Sequence, residues 1–130
     1  MRDIIIIIFI IMVILGGETY TEKYLNKTAD EITEKLENLK KQTIIAKKTQ
    51  NREQIKNEIK EIEGKWDATS DTWSVIVVHQ EIDNIENALI KLKSNIENGE
   101  LEDALQEIET AKFFINHVKE REKVSMKNIF

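Results

Sequence analysis

The sequence predicts an all-α protein in which an N-terminal membrane or signal-anchor helix precedes an antiparallel bundle of three or four long helices. The 130 residues contain no proline and only four glycines, so little of the turn chemistry that sheet proteins need is present. Apolar residues recur at alternating spacings of three and four through most of the chain, which is the period of one helix face. Both observations favour long helices over a sandwich, a barrel or a doubly wound sheet.

Composition also excludes several functions. The chain has no cysteine, which rules out a disulfide framework, a thiolate metal cage and a cysteine nucleophile. The formal net charge is −5 and basic residues are interspersed among acidic ones, whereas a nucleic-acid binder needs a concentrated positive face. No nucleophile motif or glycine-rich phosphate loop is present. We therefore expect neither nucleic-acid binding, nor enzyme activity, nor a cofactor.

An unbroken apolar run from Ile4 to Leu15 sets the N-terminus apart. As a helix it spans about 18 Å, short of the hydrocarbon core of about 30 Å. Residues 1–17 are interpreted as a signal anchor or transmembrane segment, and 18–130 as an extracytoplasmic bundle. A cleaved signal peptide, giving a secreted body, and a buried core helix are the alternatives. Cleavage is disfavoured because a cut after Gly17 leaves Leu15 where a small residue is normal.

The residues that flank this run suggest its placement. Gly16, Gly17, Thr19 and Tyr20 can lengthen the buried stretch, and Tyr20 and Tyr24 suit the headgroup level. Arg2 precedes the run, whereas Glu18 and Glu22 follow it. This asymmetry favours a cytoplasmic N-terminus with the body outside the cell membrane.

Apolar stripes predict the helices of the body at about 19–48, 52–66, 71–97 and 100–122, with 52–97 as one kinked helix being the alternative. The first stripe is a seam that requires a partner helix: Leu25, Ala29, Ile32, Leu36, Leu39, Thr43 and Ala46. A phase shift predicts a break or kink within Gly64–Thr72, after which Val75 and Val78 begin the third stripe. Asn98–Gly99 predicts a helix stop, because glycine readily adopts the left-handed conformation.

Charged residues are interpreted as solvated helix surface. Glu31–Lys35 and Glu37–Lys41 have the spacing of weak ion pairs within one helix. Residues 18–65 carry eleven basic and ten acidic side chains, and residues 66–130 carry seven and thirteen. Nearly all the net negative charge therefore lies in the second half.

The two histidines form the one constellation with metal-site chemistry. His79 and His117 lie almost equally far from the Asn98–Gly99 turn, so in a regular hairpin they could face each other. Asp83 follows His79 by four residues and Glu120 follows His117 by three, and such a set suits a divalent ion. In the favoured interpretation the histidines instead donate hydrogen bonds to carboxylates across the hairpin and fix its register, with no metal.

Two alternative roles are considered for the two tryptophans: packing within the protein and contact with a partner protein. Trp66 and Trp73 are expected opposite the far end of the chain, near Val124 and Phe130. Docking of the Ile129–Phe130 tail against them would bury large side chains on both partners. The alternative is an exposed apolar patch for a partner protein.

Several sequence blocks together resemble the bacterial family catalogued as domain of unknown function 4363. They are Lys65-Trp66, Trp73-Ser74, His79-Gln80-Glu81-Ile82-Asp83-Asn84-Ile85, Phe114-Ile115-Asn116-His117 and Met126-Lys127-Asn128-Ile129-Phe130. The resemblance implies a small, single-pass or signal-anchored helical protein of clostridia-like bacteria with no established activity. It also implies a packing or interaction signature at Trp66, Trp73, His79, Asp83, Phe114, His117, Ile129 and Phe130. Val78 departs from the family pattern, which often has an acidic residue there.

The expected function is a non-catalytic accessory or interaction module that residues 4–15 tether to the membrane beside a membrane-protein partner. The alternative from another class is a divalent-metal or ligand-binding envelope domain that uses His79, Asp83 and His117. A third hypothesis is a homo-oligomer that assembles through the first seam.

Overall fold

The protein is a four-helix bundle. The computed structural model describes residues 1–129, with side chains described for 1–17 and 20–123. The helices are α1 (Arg2–Thr49), α2 (Glu53–Ile76), α3 (His79–Glu97) and α4 (Leu101–Ile129). Each packs on two neighbours, in the ring α1–α2–α3–α4–α1. Short connections make successive helices antiparallel, and the predicted all-α bundle is confirmed.

The core is built from one stripe of each helix. The first predicted seam, from Leu25 to Ala46, is buried between α2 and α4. Its threonine, Thr43, is fully buried and donates to the carbonyl oxygen of Leu39 at 2.7 Å. The seam finds its partners inside the chain, so it is not available for pairing with a second copy.

Helix α1 joins the apolar segment to the bundle without a break. Its 48 residues pass through Gly16 and Gly17 as continuous helix, so the expected separate helix over 19–48 is wrong in its start. The side chains from Ile4 to Leu15 are exposed, by 44–65%. Among the described residues, this is the one helix long and apolar enough to cross a membrane. A core helix would be buried, so that alternative is excluded.

The boundary between α2 and α3 lies beyond the predicted one. The chain stays helical through Gly64–Thr72 and turns at Val77–Val78, where both residues are extended. Thr69 occupies a buried core position between Trp66 and Trp73, so the three-four spacing continues through the polar stretch. The predicted helix limits at 66 and 71 are corrected to Ile76 and His79, and Val75 and Val78 are exposed instead of lying on the α3 stripe.

The end of the bundle next to the apolar segment is here called the proximal end. It comprises the Val77–Val78 connection, the first turns of α3 and the last turns of α4. The distal end comprises the two other connections, 50–52 and 98–100.

Both distal connections use left-handed backbone. Gln50 has φ 61° and its N–H donates to the carbonyl of Ala46 at 2.7 Å. Gly99 has φ 76°, and the next N–H, of Glu100, donates to the carbonyl of Asn95 at 2.8 Å. These are bonds that close helix C-termini, and the predicted stop at Asn98–Gly99 is confirmed.

Ion pairs between α1 and α4 form a ladder along the bundle, defined as Asp30–Lys119, Glu37–Lys112, Lys40–Glu109 and Lys47–Glu102. The positions advance by three or seven residues on each helix, which is the repeat of an antiparallel helix pair. Glu31 likewise reaches Lys65 on α2, at 2.6 Å. The expected pairs within one helix, Glu31–Lys35 and Glu37–Lys41, are thus replaced by pairs between helices.

Candidate functional site at the proximal end of the bundle

Most signature residues whose side chains are described lie at the proximal end. Trp73 belongs to the last turn of α2, and His79 begins α3. His117 reaches the same level on α4, where it approaches Glu81 of α3. Three helices therefore bring the signature together beside α1.

Trp73 connects α2 to α1 through a buried hydrogen bond. Its Nε1–H donates to Oγ1 of Thr28 at 2.8 Å, and Thr28 in turn donates to the carbonyl of Tyr24 at 2.9 Å. Trp66 packs edge-on against Trp73, with ring centroids 5.6 Å apart. Both tryptophans are at most 2% exposed. The hypothesis that they form an exposed patch is wrong for the tryptophans, because both are buried within the bundle.

The predicted docking of Ile129 and Phe130 against the tryptophans lies outside the residues whose side chains are described, and Val124 lies outside them as well. The described structure gives Trp73 a different polar partner, Thr28 of α1. This contact was not expected from sequence, since a threonine within a long polar helix gives no sign of the residue that it faces.

Glu81 is a buried carboxylate at the centre of the proximal end. Its side chain is 7% exposed, and its Oε1 accepts a hydrogen bond from Nη1 of Arg121 at 2.8 Å. The Nε2 atom of His117 lies 3.4 Å from the same oxygen. The other oxygen, Oε2, is buried without a hydrogen-bond partner among the described residues. The first turn of a helix favours a negative charge, but most of the compensation must come from Arg121.

Glu122 adds a second acid to this region. Burial raises the pKa of its carboxyl above the ordinary 4.5, and the charge of Glu81 raises it further, while Arg121 opposes them. The guanidinium of Arg121 thus hydrogen-bonds Glu81 and acts on Glu122 through its charge. Neither Glu81 nor Arg121 could be predicted as a partner from the sequence, because neither stands out on a charged helix.

The four metal candidates are not gathered into one set. His79, Asp83 and Glu120 are exposed, and His117 approaches Glu81 rather than Asp83. No group of three or more metal-ligating side chains occurs among the residues with described side chains. The geometry instead resembles the favoured interpretation, in which a histidine approaches a carboxylate across the hairpin.

His117 also stacks on an exposed aromatic residue. The rings of Phe113 and His117 lie 6.2 Å apart and 16° from parallel, and Phe113 is 66% exposed. Phe114 packs against the core and meets Phe113 edge-on at 5.8 Å. The outer face of α4 therefore presents an aromatic surface, Phe113 and His117, on a rigid helix.

An open groove of about 690 Å³ lies at the distal end. Arg52 projects there and its Nη1 donates to the carbonyls of Ile96 and Glu97 at 3.4 and 3.3 Å. The groove lies at the opposite end of α3 from His79, so it cannot share residues with the histidine candidates.

Residues 19–129 match the family described as Domain of unknown function (DUF4363). No curated protein and no solved structure matches the chain. The resemblance stated from the sequence blocks is confirmed by this match, which extends over the whole bundle.

Proposed function

Since the chain belongs to the DUF4363 family, whose activity is unknown, we propose a role from its architecture. The protein is a non-catalytic accessory module that α1 tethers to the cell membrane, where the bundle binds a membrane or envelope protein. The N-terminus is cytoplasmic and the bundle is extracytoplasmic. An anchor raises the effective concentration of the bundle toward partners in the same membrane.

The observation that carries this proposal is the exposed apolar segment within α1. A dozen consecutive large apolar side chains, each exposed by 44% or more, would aggregate in water. Insertion into a bilayer buries all of them and leaves every backbone group of the helix hydrogen-bonded. Arg2 before the segment and Glu22 after it support the stated orientation.

Continuity of α1 supports a positioning role for the anchor. The helix that would leave the membrane is the one that α4 holds through the ion-pair ladder. The bundle would therefore stand at a fixed distance and rotation relative to the bilayer. A surface on α4 is then presented at one height to neighbouring membrane proteins.

The aromatic surface of Phe113 and His117 is the best-supported contact for such a partner. Exposed aromatic residues are enriched in interface centres, and the stacking on His117 reduces the freedom of the phenyl ring before binding. Phe113 follows the core residue Ala111 by two positions, so it points away from the bundle.

The test is site-specific photo-crosslinking at native expression in intact membranes. A photoreactive residue replaces Phe113 in one variant and the exposed Lys60 of α2 in the control; α2 lies diagonally across the bundle from α4. We expect a discrete adduct with a membrane or envelope protein from position 113 and none from position 60.

A variant with Ile7→Lys and Ile10→Lys provides the anchoring control, since charges at the centre of a membrane segment are costly. It should leave the membrane fraction and lose the adduct. An identical adduct pattern from positions 113 and 60, or no membrane neighbour at either, would refute the accessory role. Intact mass of the same preparation shows whether the leader is retained.

A further inference from the structure

We propose that the Val77–Val78 connection rests in the headgroup region of the bilayer, with Val75 and Val78 as its lipid contacts. The proposal rests on the membrane insertion of α1 proposed above. It adds a second membrane contact, formed by the bundle itself, to the one formed by the apolar segment.

The connection at the proximal end is apolar, unlike those at the distal end. Val75 is 84% exposed and Val78 is 50% exposed, although Val77 between them is buried. The distal connections consist of Gln50-Asn51-Arg52 and Asn98-Gly99-Glu100. Connections in water are normally of this polar kind. The exposed valines therefore distinguish the proximal connection from the two polar distal connections and indicate an apolar environment around it.

The register between α1 and α2 gives the level of the connection. Thr28 lies opposite Trp73 through their hydrogen bond. Continuing the antiparallel register by four residues on each helix brings Val77 level with Tyr24. Tyr20 lies one further turn toward the apolar segment and is 73% exposed. The connection therefore lies level with Tyr24, one turn of α1 further from the apolar segment than the exposed Tyr20.

The length of the apolar segment places this level at the headgroups. The hydrocarbon core takes about 20 helical residues, so a span counted from Ile4, directly after the charged Arg2 and Asp3, ends near Lys23, between Tyr20 and Tyr24. Ile4–Leu15 is shorter than that, and a short segment is accommodated by local thinning of the bilayer, which brings the headgroups closer to the flanking residues. Tyrosines prefer the interface. Tyr20, Tyr24 and the connection then share the layer where apolar side chains and water meet.

A lipid surface fits this contact better than a protein pocket does. The two valines are small; Val75 lies in the last turn of α2 and Val78 in the two-residue connection that follows it. Exposed lysines accompany them on neighbouring helices, Lys23 on α1 and Lys123 on α4. Lysine stems can lie along the acyl boundary while their ammonium groups remain among phosphates.

The absence of native cysteine makes the test direct. Single spin labels are attached to the full-length protein at Val75→Cys, Val78→Cys and Ile90→Cys, and the protein is reconstituted into phosphatidylcholine vesicles. Ile90 is also an exposed aliphatic residue, at 58%. It lies about 16 Å further along α3 than His79. Collision rates with oxygen, which enters lipid, and with a water-soluble nickel chelate are measured for each label.

Labels at positions 75 and 78 are expected to lose nickel accessibility severalfold between detergent and vesicles and to gain oxygen accessibility. The label at position 90 should not change. If the labels at positions 75 and 78 remain accessible to the nickel chelate in vesicles, the proposal is wrong. The same result is expected if those residues contact only a protein partner, because the vesicles contain none.

A fourth label, at Ile8→Cys, separates the two proposals. If position 8 lies in lipid while 75 and 78 remain aqueous, anchoring stands and the second contact is wrong. If position 8 is aqueous as well, the membrane anchoring under the proposed function fails together with this inference.

Discussion

The indole Nε1 of Trp73 donates a hydrogen bond to Oγ1 of Thr28 inside the core, at 2.8 Å. Thr28 is 4% exposed and Trp73 is fully buried, so neither group can exchange this partner for water. The bond fixes the register of α2 on α1 beside the family signature.

Replacement of Thr28 by valine keeps the shape of the side chain and leaves the indole N–H unpaired. The free energy of unfolding should fall by about 1–3 kcal/mol, the cost of a buried unsatisfied donor. The measurement is urea unfolding of the full-length protein in detergent micelles, followed by tryptophan fluorescence. Thr43→Val is the matched control, because Thr43 bonds only its own helix; equal losses at 28 and 43 would contradict the assignment.

Gly99 and Gly64 should respond oppositely to alanine. Gly99 has φ 76°, and a Cβ there would lie 2.7 Å from Nη1 of Arg52. Left-handed backbone disfavours alanine, so Gly99→Ala should cost about 1–2 kcal/mol. Gly64 lies within α2 with open space around it, and Gly64→Ala should stabilise by about 0.5–1 kcal/mol. Thermal unfolding followed by circular dichroism distinguishes the two signs, and a gain at position 99 would rule out the described turn.

Arg121 should matter because it compensates the buried charge of Glu81. Arg121→Met removes the 2.8 Å bond and leaves the carboxylate with His117 at 3.4 Å. We expect a loss of about 1–3 kcal/mol in the free energy of unfolding. Adding Glu81→Leu to that variant should recover most of the loss, since the unpaired buried charge is then gone. Additive losses in the urea double-mutant cycle would show that the two residues act independently.

Stability should decrease in acid through the α1–α4 ladder. Hydrogen bonds from Lys112 and Lys40 hold the pKa values of Glu37 and Glu109 below the ordinary 4.5. A carboxyl whose pKa is lowered by folding stabilises the folded state at every pH above its unfolded pKa. This contribution to stability is lost as the pH falls through the folded pKa. The urea midpoint should therefore fall progressively below pH 4.5. Lys112→Met should reduce this dependence, and an unchanged acid slope in that variant would contradict the role of the ladder.

The same lysine gives a second pH limit. The hydrogen bond to Glu37 raises the pKa of Lys112 above the ordinary 10.5. Its contribution to stability is complete below that value and is lost as the pH rises through the folded pKa.

The pH dependence of stability from Glu122 has the opposite sign from that of the ladder acids, because the pKa of Glu122 is raised. Its contribution is present below 4.5 and is lost as the pH increases.

The sequence by itself determined the helices, because helix periodicity and scarce turn residues are local properties. The seam from Leu25 to Ala46, the stop at Gly99 and the apolar segment could all be predicted from spacing and composition. The family could also be recognised from the sequence blocks that resemble it. The end of α2 could not be predicted, because polar Thr69 occupies a core position and breaks the apolar pattern.

Only the tertiary structure decided which side chains meet. Glu37 could pair with Lys41 or Lys112 by charge alone, and packing of α4 on α1 selects Lys112. His117 could face His79, but the rotation of α3 brings Glu81 toward it. Val75 and Val78 are apolar wherever α2 ends, but the position of that end decides whether their side chains face the core. Periodicity specifies the faces of a helix, whereas partners depend on rotation and register, which long-range packing sets.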